Sequence, residues 1–195
     1  MPGALFKDIL VVAATERELA PADGWLRLCC GVGPVEAGIA TARAISEHHP
    51  HAILHVGIAG ARRSRAIPPA SLVIGTQSVY EDLADLPPEW AVKRIVPPAS
   101  LLEAMQCAAP DAFTLAIGTS GRVGGTRVEH CDVEAMEGFA VLRAAQQAGI
   151  PAIEVRAIAN DIEEIDRARW HFAAAFAAIT AATPALVREL AACVH

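Results

Sequence analysis

Three polar side chains fall where strands should end: Glu18, Glu137 and Asn160. A carboxylate such as Glu137 can accept two hydrogen bonds from a vicinal diol, as on a ribose. A second carboxylate, Glu18, can take a proton from water, which is worth ~10²–10⁴-fold in rate. An amide such as Asn160 can donate to a heterocycle nitrogen. Together they suit cleavage of a glycosidic bond through an oxocarbenium-like transition state. Structural readings stand beside this. Thr15 and Glu18 have the spacing of a capping box at a helix start. Asp132, Glu134 and Glu137 could be acidic residues that favour a helix N-terminus.

The elements that must position these groups are legible in chain order. Asp8 to Ala14 is apolar on both faces and reads as a buried strand, with Glu18 just past its end. Trp25 to Cys30 reads as a second strand. Gly31-Val32-Gly33-Pro34 then turns the chain into a helix over Val35 to His49. Free N–H groups at such a turn can hold an anion, but the dinucleotide fingerprint is incomplete. Ala52 to Ile58 reads as a strand that closes in Gly57-Ile58-Ala59-Gly60-Ala61, where a ligand can approach the backbone. A strand follows from Ser71 to Thr76, continuing towards Tyr80. Asp82 to Pro98 is an irregular, proline-rich crossing. A helix over Ser100 to Ala108, a strand over Phe113 to Ile117 and a glycine-rich loop over Gly118 to Gly125 come next.

Met136, Ala140, Val141, Ala144, Ala145 and Ala148 share one helix face, and Gly149 suits its C-terminal cap. Ile150 to Ile158 is the next strand, with Asn160 beyond it. A long helix over Arg167 to Ala182 follows. Thr183-Pro184 reads as the cap and first residue of a final short helix. This alternation predicts an α/β protein, a three-layer α/β/α sandwich on a central mixed β-sheet, as one domain over residues 1–195.

Composition narrows the partners. The chain has 195 residues, 53% of them hydrophobic, and a net charge of −6. It is large enough for one sizeable core. No basic cluster supports nucleic-acid binding. No signal peptide is evident, and the apolar stretch from Phe172 to Ala182 is short for a bilayer span, so no membrane partner is expected. Five cysteines without zinc spacing read as reduced thiols of a cytoplasmic protein. His48, His49 and His51 read as a solvated helix end, with a metal site as the alternative.

The motifs together resemble the nucleoside phosphorylase and nucleosidase superfamily. Ala13-Ala14-Thr15-Glu16-Arg17-Glu18-Leu19 is similar to its first-strand segment. Gly31–Pro34 and Gly57–Ala61 are similar to its two glycine segments. Glu134-Ala135-Met136-Glu137-Gly138 and Arg156-Ala157-Ile158-Ala159-Asn160 are similar to its ribose-binding and base-binding segments. Eighteen residues separate Glu137 from Arg156, as the family spacing requires. Within the superfamily the resemblance is greatest to the futalosine hydrolases. It implies a nucleoside phosphorylase-like fold and Glu18 as the general base for water. It also implies ribose contacts from Glu137 and Met136, Gly60 lining the site, and Asn160 at the purine N7.

Related nucleosidases carry Asp at the Asn160 position. An amide there suits a 6-oxopurine, although Asp161 lies next door. The Gly118–Cys131 loop has no aromatic residue, so Phe139 or Tyr80 is the stand-in for stacking on the base. Arg62 and Arg63 read as a solvated loop rather than a phosphate clamp. The resemblance thus implies hydrolysis of a purine nucleoside, futalosine first, in menaquinone biosynthesis, by a homodimer with no cofactor or metal. Hydrolysis of methylthioadenosine or S-adenosylhomocysteine, phosphorolysis, and non-catalytic nucleoside binding remain the alternatives.

Overall fold

The computed structural model describes residues 6–83, 85–122 and 131–194. Its strands are β1 (Ile9–Ala13), β2 (Leu26–Cys29), β3 (Ala52–Ala61), β4 (Leu72–Tyr80), β5 (Arg94–Ile95), β6 (Phe113–Thr119), β7 (Val133–Ala135) and β8 (Ala152–Asp161). Its α-helices are α1 (Pro34–His48), α2 (Ala99–Ala108), α3 (Gly138–Gln147) and α4 (Phe172–Val194).

The strands form one mixed sheet in the order β2-β1-β3-β7-β6-β4-β5, and β8 pairs with both β3 and β4. That double pairing closes β3, β7, β6, β4 and β8 into a ring. β1–β2, β1–β3 and β3–β8 are parallel, whereas β3–β7 and β4–β8 are antiparallel. Side chains alternate across a strand, and β1 shows the outcome. Ile9, Val11 and Ala13 face a core shared with Leu101 and Met105 of α2 and Ile179, Leu186 and Leu190 of α4. Leu10 and Val12 face the opposite core, with Ala37 and Ala44 of α1 and Val141, Leu142 and Ala145 of α3. Two helices therefore cover each face, giving the three layers expected from the sequence.

The helix ends follow local chemistry. Gly33 (φ +96°) precedes Pro34, which needs no N–H at the first helical position. Gly149 (φ +71°) ends α3 as anticipated.

Three expectations are corrected. Asp132 to Glu137 does not open a helix: Glu134 lies on β7, where it pairs with Gly60 of β3, and α3 begins only at Gly138. The stretch Arg167–Arg169 is a separate 3-10 turn, and α4 starts at Phe172. Nor does Thr183-Pro184 start a new helix. α4 runs through it for 23 residues, with Pro184 inside.

α4 is thus long and apolar enough, by length and composition, to cross a bilayer. Its buried residues Ala175, Ile179, Thr183, Leu186, Leu190 and Ala191 nevertheless form one face packed into the core. Positions 123–130 of the glycine-rich loop lie outside the described residues.

Candidate active site

Glu18 sits in the 3-10 turn after β1 and is 4% exposed. Its Oε2 accepts from the backbone N–H of Thr15 at 2.9 Å and from Thr15 Oγ1 at 2.7 Å. Its Oε1 accepts from the Ile58 N–H on β3 at 3.1 Å. The capping role and the site role are therefore compatible. One oxygen closes the turn, and the other is held against β3 where Glu18 lines a cavity of about 340 Å³.

Glu137 immediately precedes α3 and is also 4% exposed. Its Oε1 accepts from the Gly33 N–H at 3.0 Å. The glycine turn at the start of α1 does hold an anion, then, and that anion is the protein's own carboxylate. Its Oε2 lies 3.6 Å from Arg156 Nη1. Burial pushes the Glu137 carboxyl above its usual range, against the pull of Arg156 and the Gly33 N–H, and the charge of Glu18 pushes the same way as burial.

Arg156, Glu154 and His55 are partners that the sequence reading did not assign a role. All three are buried inside strands, with Arg156 at 0% exposure. Arg156 Nε donates to Glu154 Oε2 at 3.3 Å, and its Nη2 meets His55 Nε2. His55 Nδ1 lies 3.0 Å from the Val12 carbonyl. An Nδ1–H donating to that carbonyl leaves Nε2 free to accept from Arg156, so the ring is neutral. Burial, then the charge of Arg156, hold His55 well below its ordinary pKa. Burial likewise raises the Glu154 carboxyl despite Arg156 beside it.

Arg156 Nη1 has no hydrogen-bond partner among the described residues. It lies over Gly57, where an added Cβ would strike it and would sit 3.0 Å from Glu18 Oε1. A buried donor without a partner calls for one. Here it faces the Gly57 position together with the Glu18 carboxylate and beside Glu137.

Gly60, Met136 and Asn160 line the same cavity. Gly60 and Asn160 are register partners just past a bulge at Ala59/Gly60. Asn160 Nδ2 donates to the Asp161 carbonyl at 2.7 Å, which uses one of its two hydrogens. Asp161 itself accepts from Arg63 Nε at 3.0 Å and does not line the cavity. Asn160, rather than its neighbour, is the residue that faces the cavity.

Phe139 is a correction. Its ring is buried and stacks on Tyr80, with centroids 5.1 Å apart, and its N–H donates to Thr119 Oγ1. The pair belongs to the core packed by α1 and α3, and neither ring lines the cavity. The aromatic lining comes instead from Trp170, Phe172 and Phe176 at the start of α4. These rings form a continuous wall, with centroids 5.3 Å and 6.0 Å apart.

Arg62 is corrected too, since its side chain is largely buried, whereas Arg63 is exposed as expected for a solvated loop. Arg62 pairs with Glu134 at 3.4 Å and donates to the Cys131 carbonyl. Arg63 pairs with Asp161, and Arg65 with Asp132.

Comparison with known proteins identifies the family and the fold. A sequence model described as the phosphorylase superfamily matches residues 26–194. The chain is 34% identical to a futalosine hydrolase of Streptomyces coelicolor, over 86% of this chain and 80% of that protein. Among solved structures it is similar to a 5′-methylthioadenosine/S-adenosylhomocysteine nucleosidase of Colwellia psychrerythraea in complex with adenine. That match has a TM-score of 0.82 and 16% identity, and covers 93% and 95% of the two chains. It is similar also to the futalosine hydrolase of Helicobacter pylori, with a TM-score of 0.79 and 16% identity, covering 93% and 97%.

Proposed function

The chain belongs to the phosphorylase superfamily, and on that footing we propose that it hydrolyses the N-glycosidic bond of a purine nucleoside, with futalosine as the substrate. One observation carries the mechanism. Glu18 Oε1 and Arg156 Nη1, which is ion-paired with Glu137 but makes no hydrogen bond among the described residues, both face the Gly57 position.

A water held between these groups has an acceptor for its proton and a donor to fix its orientation. Glu137 accepts from the ribose hydroxyls, with Met136 against the sugar and Gly60 giving room for the ring. As the C1′–N9 bond breaks, its electron pair passes to the purine and positive charge develops on the sugar. Buried carboxylates stabilise that charge. The water oxygen bonds to C1′ and Glu18 takes its proton. Asn160 keeps one amide hydrogen for the N7 and O6 edge of a 6-oxopurine, which accepts there. A carboxylate at that position would repel O6.

Water is favoured over phosphate as nucleophile because Arg62, Arg63 and Arg65 are already paired with carboxylates. The same reading gives the chain a place in menaquinone biosynthesis, in the cytoplasm, as a homodimer. Five free cysteines suit a reducing compartment. Exposed Val32, Val35 and Ile39 offer an apolar surface for a second copy, and Val32 also lines the cavity.

The substrate reading is tested by comparing base release from futalosine, methylthioadenosine and inosine. Fastest release from futalosine is expected. Preference for methylthioadenosine would favour the 6-aminopurine alternative and contradict the role given to Asn160.

A further inference from the structure

We propose that Glu154 and His55 are positioning residues for the reaction: together they grip one edge of the Arg156 guanidinium, which keeps its Nη1 turned to the reacting water and stops it from closing on Glu137. The inference rests on the nucleosidase reading and adds to it two buried residues that do not line the cavity.

Parallel pairing makes His55 on β3 the register partner of Glu154 on β8, and Gly57 that of Arg156. Register partners point to the same face of a sheet, and so do residues two apart along a strand. Glu154, His55 and Arg156 therefore share one face, and the guanidinium lies over the empty place at Gly57. The backbone gives way to Glu154 as well. A Cβ at Gly138 of α3 would strike Glu154 Oε2, and one at Gly75 of β4 would strike its Cγ. Three glycines on three elements thus make room for two charged side chains.

A guanidinium is planar and rigid, so contacts on two of its nitrogens fix the place of the third. Glu154 Oε2 accepts from Nε at 3.3 Å, and His55 Nε2 accepts from Nη2. His55 is fixed in turn by the Val12 carbonyl of β1. Nη1 is left 3.6 Å from Glu137 Oε2, near enough to pair but too far for a hydrogen bond. Without the counter-charge of Glu154, Glu137 and Glu18 would draw the guanidinium onto the carboxylates that the reaction uses. Stability gives little reason to keep this arrangement, because apolar residues of the same volume commonly do as well as a buried ion pair. The groups that face Glu154 are Arg156, the Ser78 hydroxyl of β4, the Glu137 carboxylate and neutral His55. Burial raises the Glu154 carboxyl against the pull of Arg156 and Ser78, so its negative charge fills in as the pH rises through that raised range.

Glu154→Gln keeps an oxygen for Nε but carries no charge. With futalosine, kcat is expected to fall by ~10–100-fold with KM little changed. The parent-to-variant ratio should grow as the pH rises, since protonation makes the parent resemble the variant. A ratio that stays flat with pH, a loss confined to KM, or a variant that does not fold would overturn the proposal, for each marks a merely structural role. On the β3 side, His55→Gln can present an acceptor to Nη2 and should recover most of the kcat that His55→Leu loses. Equal losses in the two would contradict the grip. The Arg156 Nε–H signal in ¹⁵N NMR, identified by its absence in Arg156→Lys, reads the grip without turnover. Slow exchange with solvent is expected in the parent and faster exchange in His55→Leu. Fast exchange in the parent would overturn the proposal whatever the activity. Slow exchange with no base release from futalosine would instead count against the nucleosidase reading alone.

Discussion

At the scale of the residue, Glu18 and Glu137 are both buried carboxylates, but they are given different work. Glu18→Gln can keep the bonds from Thr15 that shape its turn, but it gives up the one from the Ile58 N–H and loses the base. It is expected to lower kcat by ~10²–10⁴-fold with little change in substrate binding. Glu137→Gln is expected to act chiefly on KM, because it weakens the diol contact. Steady-state kinetics on the two variants checks the split, and near-normal turnover by Glu18→Gln would remove the base assignment.

His55 makes a prediction about pH. Its folded pKa lies below the ordinary 6.5, so it stays neutral in the fold while the unfolded chain takes up a proton. Its contribution to stability is complete above about pH 6.5 and is lost as the pH falls below that value, by up to about 1.4 kcal/mol per pH unit. The raised carboxyls of Glu137 and Glu154 titrate with the opposite slope, so the measurement is a difference. Urea melts of the parent and His55→Asn between pH 7 and pH 5 should show the parent losing ground. A flat difference would contradict the neutral histidine.

Glu18, Glu137 and Asn160 could be picked out as candidates because ligands sit at strand ends of an α/β sheet, although a capping box and a helix start explained the two carboxylates as well. Arg156 and its partners were not assigned. Glu154-Val155-Arg156 breaks an apolar run and so signals buried charge. Its counterparts, His55 and Glu137, come from other strands and loops, and no local spacing shows that they meet.

At the scale of the element, strands β1, β3, β4, β6 and β8 were all recognisable from apolar runs closed by glycine or polar residues. β7 was not. Its three residues, Val133-Glu134-Ala135, sit in an acidic stretch shortly before a helix, and pairing with β3 and β6 outweighs any local helical preference. The same local reasoning placed a break at Thr183-Pro184. The helix continues because its apolar face carries on past the proline, from Ala175 and Ile179 to Leu186 and Leu190. Thr183 Oγ1 and Thr180 Oγ1 donate to the Ile179 and Phe176 carbonyls within that stretch. Pro184 cannot donate to the Thr180 carbonyl, and it crowds the preceding turn. Pro184→Ala is therefore expected to stabilise the fold, by about 1–3 kcal/mol. A denaturation midpoint at or below the parent's would show that the turn has adapted fully to the proline. The later start of α4, at Phe172, also matters for function. It brings Phe172 and Phe176 to the cavity, a lining that the expected helix over Arg167 to Ala182 contained but did not aim.

At the scale of the whole molecule, the site draws on β1, β3, β7 and β8 and on the start of α4, elements spread across most of the chain. The layer architecture could be read from the alternation of strands and helices, whereas the ring closed by β8 could not. That closure depends on β8 pairing with β4 as well as β3, which no local pattern encodes. The apolar surface at Val35 and Ile39, 68% and 64% exposed, is the basis for the proposed dimer. Val35→Asp with Ile39→Asp should shift the protein to monomer in light scattering, and an unchanged mass would place the interface elsewhere or exclude it. Because Val32 joins this surface to the cavity, loss of the dimer should also lower activity.

Hydrolysis itself is most directly tested by following base release from futalosine in ¹⁸O-labelled water, with and without inorganic phosphate. The arrangement of Glu18, Arg156 and Glu137 predicts hypoxanthine release at a rate indifferent to phosphate, with one heavy oxygen at C1′ of the sugar product. Release that depends on phosphate and yields a sugar phosphate, or no release at all, would contradict it.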